Sequence, residues 1–139
     1  MTEESLFELL SLECRGDSDG GVYYYNAQGQ LHRVHGPAVE YSDGSTFWYQ
    51  NDQLHRVDGP AIEYSDGGSE WYQNGRRHRV DGPAIILSDG YRAWLQNALL
   101  HRLDGPAVEY PDGSREWFIN GKELTKAEWR RAVASMEAV

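Results

Sequence analysis

Trp71-Tyr72-Gln73-Asn74-Gly75-Arg76-Arg77-His78-Arg79-Val80-Asp81-Gly82-Pro83-Ala84, followed by Ser88-Asp89-Gly90, decides the fold, because the same string returns along most of the chain. His-Arg pairs stand at His32-Arg33, His55-Arg56, His78-Arg79 and His101-Arg102, a spacing of 23 residues with no insertion or deletion between copies. A strict period of this length marks units that bury their apolar faces against their neighbours. Each pair leads into Gly-Pro-Ala (36–38, 59–61, 82–84 and 105–107), with Asp58, Asp81 and Asp104 before the glycine and His35 in that place in the first copy. An Asp-Gly follows every time, at Asp43-Gly44, Asp66-Gly67, Asp89-Gly90 and Asp112-Gly113, and Trp48, Trp71, Trp94 and Trp117 trail it. Tyr25 stands where an earlier Trp would be.

Asp-Gly and Asn-Gly between β-rich runs favour two-residue type I′ hairpin turns. Asn74-Gly75 and Asn120-Gly121 fit that pattern, whereas Asn51-Asp52 and Asn97-Ala98 depart from it. A two-residue turn at Asp66-Gly67 sets Ile62 opposite Trp71, Glu63 opposite Glu70 and Tyr64 opposite Ser69. Closing the next hairpin at Asn74-Gly75 sets His78 opposite Trp71 and Arg79 opposite Glu70, so one repeat reads as three antiparallel strands. The expected fold is mainly β: an extended antiparallel β-meander sheet of four 23-residue repeats, with a short N-terminal helix and a C-terminal capping helix. The whole chain, 1–139, is one domain, with helix and loop in 1–22, repeats over 23–121 and a helix within 122–139.

Strand alternation then sorts side chains into two faces. Val39, Tyr41, Trp48, Ile62, Tyr64, Trp71, Ile85, Leu87, Trp94, Val108, Tyr110 and Trp117, with the histidines and Val34, Val57, Val80 and Leu103, form the expected core face. Glu40, Glu63, Glu70, Glu109 and Glu116, the arginines, and Tyr49, Tyr72, Leu95 and Phe118 form an acidic, aromatic opposite face. At the start, Ser5-Leu6-Phe7-Glu8 has the spacing of a capping box, which predicts a helix over 5–14 and a loop over 15–21. At the end, Thr125-Lys126-Ala127-Glu128 repeats that spacing ahead of Trp129, Val133 and Met136, predicting a helix over 125–138. Such helices cover the exposed edges or the open apolar face of a repeat sheet.

Glu70-Trp71-Tyr72-Gln73-Asn74-Gly75-Arg76-Arg77-His78 with Ser88-Asp89-Gly90 resembles the MORN repeat, which also has an aromatic, Asn-Gly, His and a later Asp-Gly in about 23 residues. The likeness covers 23–121. MORN units usually have Gly after the His and no Pro, where this chain has His78-Arg79-Val80-Asp81-Gly82-Pro83, so it is closer to the MORN-variant repeats of small bacterial and phage proteins, some described as antitoxin-like. The resemblance implies an extended antiparallel sheet used for protein contacts, with no catalytic residue to carry over.

Thirteen Lys and Arg against 22 Asp and Glu leave a net charge of −9, which disfavours a direct grip on nucleic acid or an anionic membrane and favours a protein partner with a basic surface. The single Cys14 excludes an internal disulfide, and as an unreactive structural thiol it fits a reducing compartment. With no stretch of about 18–20 apolar residues and no basic start before an apolar run, a cytoplasmic setting in a bacterium or a phage-infected cell is expected. Equivalent histidines two or three strands apart, roughly 10–14 Å, are too far apart to share a metal ion, so neither metal nor cofactor is expected. The expected place for His is stacked on the cross-strand Trp and bonded to the Asp-Gly-Pro turn. Glu63 facing Glu70 and Glu109 facing Glu116 have the arrangement of acid/base pairs, but a solvated Glu-Glu-Arg row explains the first, and a repeated lattice suits binding better than catalysis. Glu40, Tyr49, Glu63, Glu70, Tyr72, Glu109, Glu116 and Phe118 are therefore the candidate binding residues of a non-enzymatic, acidic interaction module. Its leading role is an inhibitor that blocks a host defence protein or nuclease; an antitoxin-like partner, a sequestering protein for a nucleotide-like ligand and a homo-oligomeric assembly component stay open.

Overall fold

Two kinds of hairpin turn alternate along the chain, and their difference in length sets the faces of the sheet. The structure is a computed structural model and describes residues 12–138. Asn51-Asp52, Asn74-Gly75, Asn97-Ala98 and Asn120-Gly121 have positive φ at both residues, the type I′ geometry whose twist matches the flanking strands. The two departing copies thus adopt the same turn as the Asn-Gly copies. At the Asp-Gly turns only the glycine is left-handed, with φ of 95, 94, 99 and 89° at Gly44, Gly67, Gly90 and Gly113. The Tyr64 carbonyl accepts from the Gly67 N–H at 3.0 Å, and the Tyr64 N–H donates to the Gly68 carbonyl at 2.8 Å. This is a type I turn closed by a glycine bulge, a three-residue loop where the sequence predicts two.

That extra residue shifts every register across an Asp-Gly turn by one. Ile62 stands opposite Glu70, and Glu63 opposite Ser69, in place of Trp71 and Glu70. A one-residue slip moves a strand's side chains to the other face. One cross-strand row runs Tyr23, Val39, Phe47, Ile62, Glu70, Ile85, Ala93, Val108 and Glu116. Its neighbours, Val22, Glu40, Thr46, Glu63, Ser69, Ile86, Arg92, Glu109 and Arg115, point the other way. The tryptophans lie with this second row, separated from Val39, Ile62 and Val108 by the sheet itself. Val57 and Val80, placed in the core by the sequence reading, are 73% exposed, because they sit in the Asp-Gly-Pro bends and not in strands. Tyr41, Leu87 and Leu103 are exposed as well.

The strands are β1 (Glu13–Gly16) and β2 (Val22–Tyr25), then β3 (Val39–Glu40), β4 (Thr46–Phe47), β5 (Tyr49–Gln50) and β6 (Gln53–Leu54) in the first full repeat. The second repeat supplies β7 (Ile62–Glu63), β8 (Ser69–Glu70), β9 (Tyr72–Gln73) and β10 (Arg76–Arg77). The third supplies β11 (Ile85–Ile86), β12 (Arg92–Ala93), β13 (Leu95–Gln96) and β14 (Leu99–Leu100). The last has β15 (Val108–Glu109), β16 (Arg115–Ile119) and β17 (Lys122–Leu124), followed by helix α1 (Lys126–Glu137). An 11-stranded antiparallel sheet runs β1-β2-β3-β4-β7-β8-β11-β12-β15-β16-β17, and β5-β6, β9-β10 and β13-β14 close as hairpins beside it. The three-strand reading of each repeat holds, with the middle strand interrupted at its Trp. There the Trp71 N–H donates to Ala84 of the next repeat at 2.7 Å while its carbonyl accepts from His78 of its own repeat at 3.1 Å. One residue thus serves two ladders, which divides the strand. The hairpins in turn bond to one another, the Arg79 N–H to the Leu95 carbonyl and the Ala98 N–H to the Arg77 carbonyl.

Both ends modify the pattern. The Trp place before the first repeat is taken by Tyr24, not Tyr25: its N–H donates to Ala38, and His32 donates to it. The shift follows from a three-residue loop closed by Asn26 and Gln30, one longer than the type I′ turns. Glu13 to Gly16, expected as helix end and loop, is a strand paired with β2. Asp17 and Gly21 close a turn over Asp19-Gly20 of the same bulged kind, with Gly20 at φ 89°. Cys14 on that strand is exposed, which corrects the structural-thiol reading. The remainder of the expected N-terminal helix, residues 5–11, lies outside the described residues. At the other end, Thr125 and Glu128 form the reciprocal capping box, and α1 packs on β16 and β17. The Trp129 Nε1–H donates to the Arg102 carbonyl at 2.8 Å, closing the last repeat.

Ala98 sits at φ 66°, where its Cβ costs about 1 kcal/mol that glycine avoids. Ala98→Gly is expected to raise stability by about 0.5 kcal/mol, and Gly75→Ala to lower it by at least as much, in urea unfolding. Lower stability in Ala98→Gly would show that this turn carries no strain.

Candidate functional site

The repeated string His-Arg-Val-Asp-Gly-Pro-Ala can be taken residue by residue. Arg56, Arg79 and Arg102 lay their guanidinium carbons 3.9, 3.9 and 3.8 Å over the rings of Trp48, Trp71 and Trp94. Each such cation–π contact contributes about 0.5–2 kcal/mol. The arginine of the first copy, Arg33, does the same over Tyr24 at 4.0 Å. On its other side each guanidinium lies against glycine: a Cβ built at Gly59, Gly82 or Gly105 would come within 2.8, 2.8 or 2.7 Å of it. A side chain there would push the guanidinium off its place on the ring. The arginine also donates to the proline carbonyl (Arg79 to Pro83, 3.1 Å) and to the aspartate two residues after it (Arg79 to Asp81, 3.0 Å). Ala38, Ala61, Ala84 and Ala107 are fully buried where the chain re-enters the sheet.

The histidines hold consecutive repeats together. Nδ1 of His32, His55, His78 and His101 accepts from the backbone N–H of Asn51, Asn74, Asn97 and Asn120 at 2.9–3.0 Å. Each ring is thereby oriented by the Asn turn of the next repeat, where the sequence reading placed it on the Asp-Gly-Pro turn. Among the described residues no cluster of His, Cys, Asp and Glu has the makings of a metal site.

Val57, Val80 and Leu103, at the valine place of the later three copies, take no such part. Val57 and Val80 stand 73% exposed and Leu103 41%, beside Asp58, Asp81 and Asp104, whose side chains are 84, 86 and 85% exposed. Between successive bends lie three equivalent open notches of ≈ 300, ≈ 520 and ≈ 290 Å³. Trp48, Trp71 and Trp94 with Gln50, Gln73 and Gln96 form one wall of each; Val34 and the Val57-Asp58 tip rim the first, and consecutive Val-Asp or Leu-Asp tips rim the other two. The sequence reading missed these tips by assigning the valines to a strand face. Their place immediately before Asp-Gly-Pro, a turn signal, is what marks them as loop residues.

The eight candidate residues from the sequence do not share a face. Glu40, Glu63 and Glu109 lie on the tryptophan side, each paired with the arginine of the preceding bend: Arg33 at 3.8 Å, Arg56 at 3.4 Å and Arg102 at 3.5 Å. Glu70, Tyr72 and Glu116 lie on the opposite side, as do Tyr49 and Phe118 by strand alternation. The register slip divides them. It also parts the two carboxylate pairs, since Glu63 faces Ser69 and Glu109 faces Arg115.

Glu70 is the buried one, its side chain 8% exposed between Ile62 and Ile85. It accepts from the hydroxyls of Tyr64 and Tyr72 and from Arg77 Nε at 2.9 Å. Arg77, not Arg79, is thus its cation, because Arg79 is committed to Trp71 on the other face. Burial first, and then the hydrogen bond to Glu70, push the Tyr64 phenol well above its ordinary 10.0. Burial and the charge of Glu70 raise Tyr72 as well. Burial opposes the charge of Arg77, but the hydrogen bond to Glu70 and the charges of Tyr72 and Glu70 together outweigh it and hold the guanidinium above its usual value. Glu70 gathers Tyr72 and Arg77 from the two neighbouring strands, so the cluster ties β8, β9 and β10 together. The third repeat has Ala93 and Leu100 at the places of Glu70 and Arg77, joined by Leu95 in an apolar cluster.

No protein-family model matches the chain, and no curated protein matches it significantly. The chemistry of the face therefore rests on its own residues.

Arg77→Leu is expected to cost about 2 kcal/mol by leaving a buried carboxylate without its cation. Adding Glu70→Ala, which reproduces the third repeat at both places, should recover half or more of that loss in a double-mutant cycle; simple additivity would show that the two groups act independently. A phenol raised on folding keeps its proton to higher pH in the folded chain than in the unfolded one. The contribution of Tyr64 and Tyr72 is accordingly intact below pH 10.0 and lost as the pH climbs from there. Alkaline unfolding followed by circular dichroism should be less steep in Tyr64→Phe/Tyr72→Phe than in the wild-type chain.

Proposed function

We propose that the chain is a non-enzymatic recognition module, of the kind its resemblance to MORN-type repeats implies, which holds a protein partner along the tryptophan face of the sheet. The observation that carries this reading is the row of exposed Val57, Val80 and Leu103, each beside an exposed aspartate, in a motif whose other residues are all spent on structure. Exposed apolar side chains repeated in line, rimmed by charge, mark a contact surface. The net charge of −9 favours a basic partner. In its finer form the module is an inhibitor in a bacterial or phage-infected cytoplasm, occupying the basic surface of a defence protein or nuclease. A macromolecular partner suits the face better than a sequestered nucleotide, because the arginine, tryptophan and histidine rungs that would grip a small anion are already engaged with one another and with backbone.

The test is capture by the immobilised full chain followed by mass spectrometry, in parallel with Val57→Ser/Val80→Ser/Leu103→Ser. A polypeptide retained by the wild-type chain, released by the triple variant and weakened at least ten-fold between about 0.1 and 0.5 M salt is the expected result. A partner held equally by the triple variant, or a co-purifying small molecule in place of a polypeptide, overturns the reading.

A further inference from the structure

The three notches form a line with a fixed pitch. Equivalent residues of successive repeats are two strands apart in the 11-stranded sheet, and adjacent strands are spaced about 4.8 Å, so the notches recur roughly every 9.5 Å along the face. The first is bounded by Val57 and Asp58, the second by both Asp58 and Asp81, and the third by Asp81 and Asp104. In each the carboxylate stands beside an exposed aliphatic side chain, Val57, Val80 or Leu103. That pairing is complementary to the shape of a lysine or arginine side chain, whose methylene stem covers apolar surface while its head stays at a charge. A backbone in polyproline II conformation advances about 9.3 Å in three residues, the pitch of the notches, and with three residues per turn it presents the same side at each step, which a β-strand with its alternating side chains does not. A helix advances about 10.5 Å per seven residues and falls out of step by about 1 Å at each notch.

We propose that this face takes an extended polypeptide segment with a basic residue at every third position, laid across the strands so that successive cations enter successive notches. The charge of each arginine of the face is offset by carboxylates beside it, Arg56 by Asp58 and Glu63, Arg79 by Asp81, and Arg102 by Asp104 and Glu109, which lessens its repulsion of an incoming cation. Asp58 and Asp81 each border two notches, and Asp104 borders one. Three weak contacts in register become one stronger one, since after the first cation is seated the others bind intramolecularly. The inference rests on the reading of the tryptophan face as a protein-binding surface and adds the form of what is bound.

The experiment uses the full chain and synthetic peptides of one composition: three Lys-Pro-Thr units in tandem, the same residues with the lysines adjacent, and an arrangement with the lysines four apart. Calorimetry or fluorescence anisotropy should give the three-residue spacing at least ten-fold tighter binding than either rearrangement at equal ionic strength. Asp58→Asn and Asp81→Asn should each weaken it about three-fold or more, and Asp104→Asn less, in variants whose circular dichroism is unchanged. Equal binding of all three peptides, or no effect of the three Asn substitutions, overturns the spacing rule and leaves net charge as the attraction. If no peptide binds while the Val57→Ser/Val80→Ser/Leu103→Ser variant still releases a captured polypeptide, the extended-segment inference fails and the module reading stands. If that variant releases nothing, the reading on which the inference rests fails with it.

Discussion

An arginine held between an indole and a glycine is the contact on which the rest of this structure depends. It occurs at Arg56, Arg79 and Arg102 with Trp48, Trp71 and Trp94, and in a variant form at Arg33 with Tyr24. The guanidinium joins the bend that carries it to the strand already laid down, because its donors reach the proline carbonyl and the aspartate while its plane covers the ring. Lysine would not do this, having a compact head with neither the plane nor the fork. The Trp backbone meanwhile bonds forward to the next repeat's alanine and back to its own histidine, so the contact sits where two ladders part. A thin sheet with few fully buried side chains is held this way, by a repeated polar-aromatic stack and not by one large core.

The second constraint is the length of a turn. Three residues at each Asp-Gly site, in place of two, put the aspartate one step before the left-handed position and leave only glycine there. Every register across those turns follows from that one residue. The consequence reaches chemistry: Glu63 and Glu70, paired on one face by a two-residue turn, are sent to opposite faces, one to an arginine near solvent and the other into a buried network with Tyr64, Tyr72 and Arg77. Neither carboxylate pair is then placed for shared proton chemistry, which removes the one arrangement in the sequence that suggested a reaction.

The repeats agree in the His-Arg, Gly-Pro-Ala, Asp-Gly and Trp places and vary in the row behind the tryptophans. Phe47, Glu70, Ala93 and Glu116 occupy the same place in four copies, as do Leu54, Arg77, Leu100 and Glu123. Where glutamate and arginine coincide, in the second copy, they satisfy each other; both are absent from the first copy, which has Phe47 and Leu54, and from the third, where leucine and alanine pack. The tips of the bends keep Val or Leu followed by Asp in three copies although neither folding ladder uses the aliphatic group. Residues so placed are exposed at the expense of solvation, which is why these tips of the tryptophan face are the surface proposed for binding.

The sequence by itself determined the repeat, its 23-residue period, the hairpins, the type I′ turns at Asn-Gly and the capping box of the last helix, because each of these depends on residues close together in the chain. It also contained the signal for the first hairpin in Asp19-Gly20, which the helical pattern before it obscured. What only the tertiary structure decided was which face each side chain takes. An Asp-Gly dipeptide is compatible with a two- or a three-residue loop, and local preference does not separate them. The choice falls to contacts between repeats: the Trp71 N–H on the next unit's Ala84 carbonyl, the histidine on the next unit's Asn, and the Arg79 N–H on the next unit's Leu95 carbonyl. Those contacts exist only once neighbouring units are stacked, so the sequence shows that a repeated surface is built, and the packing decides which of its residues are presented.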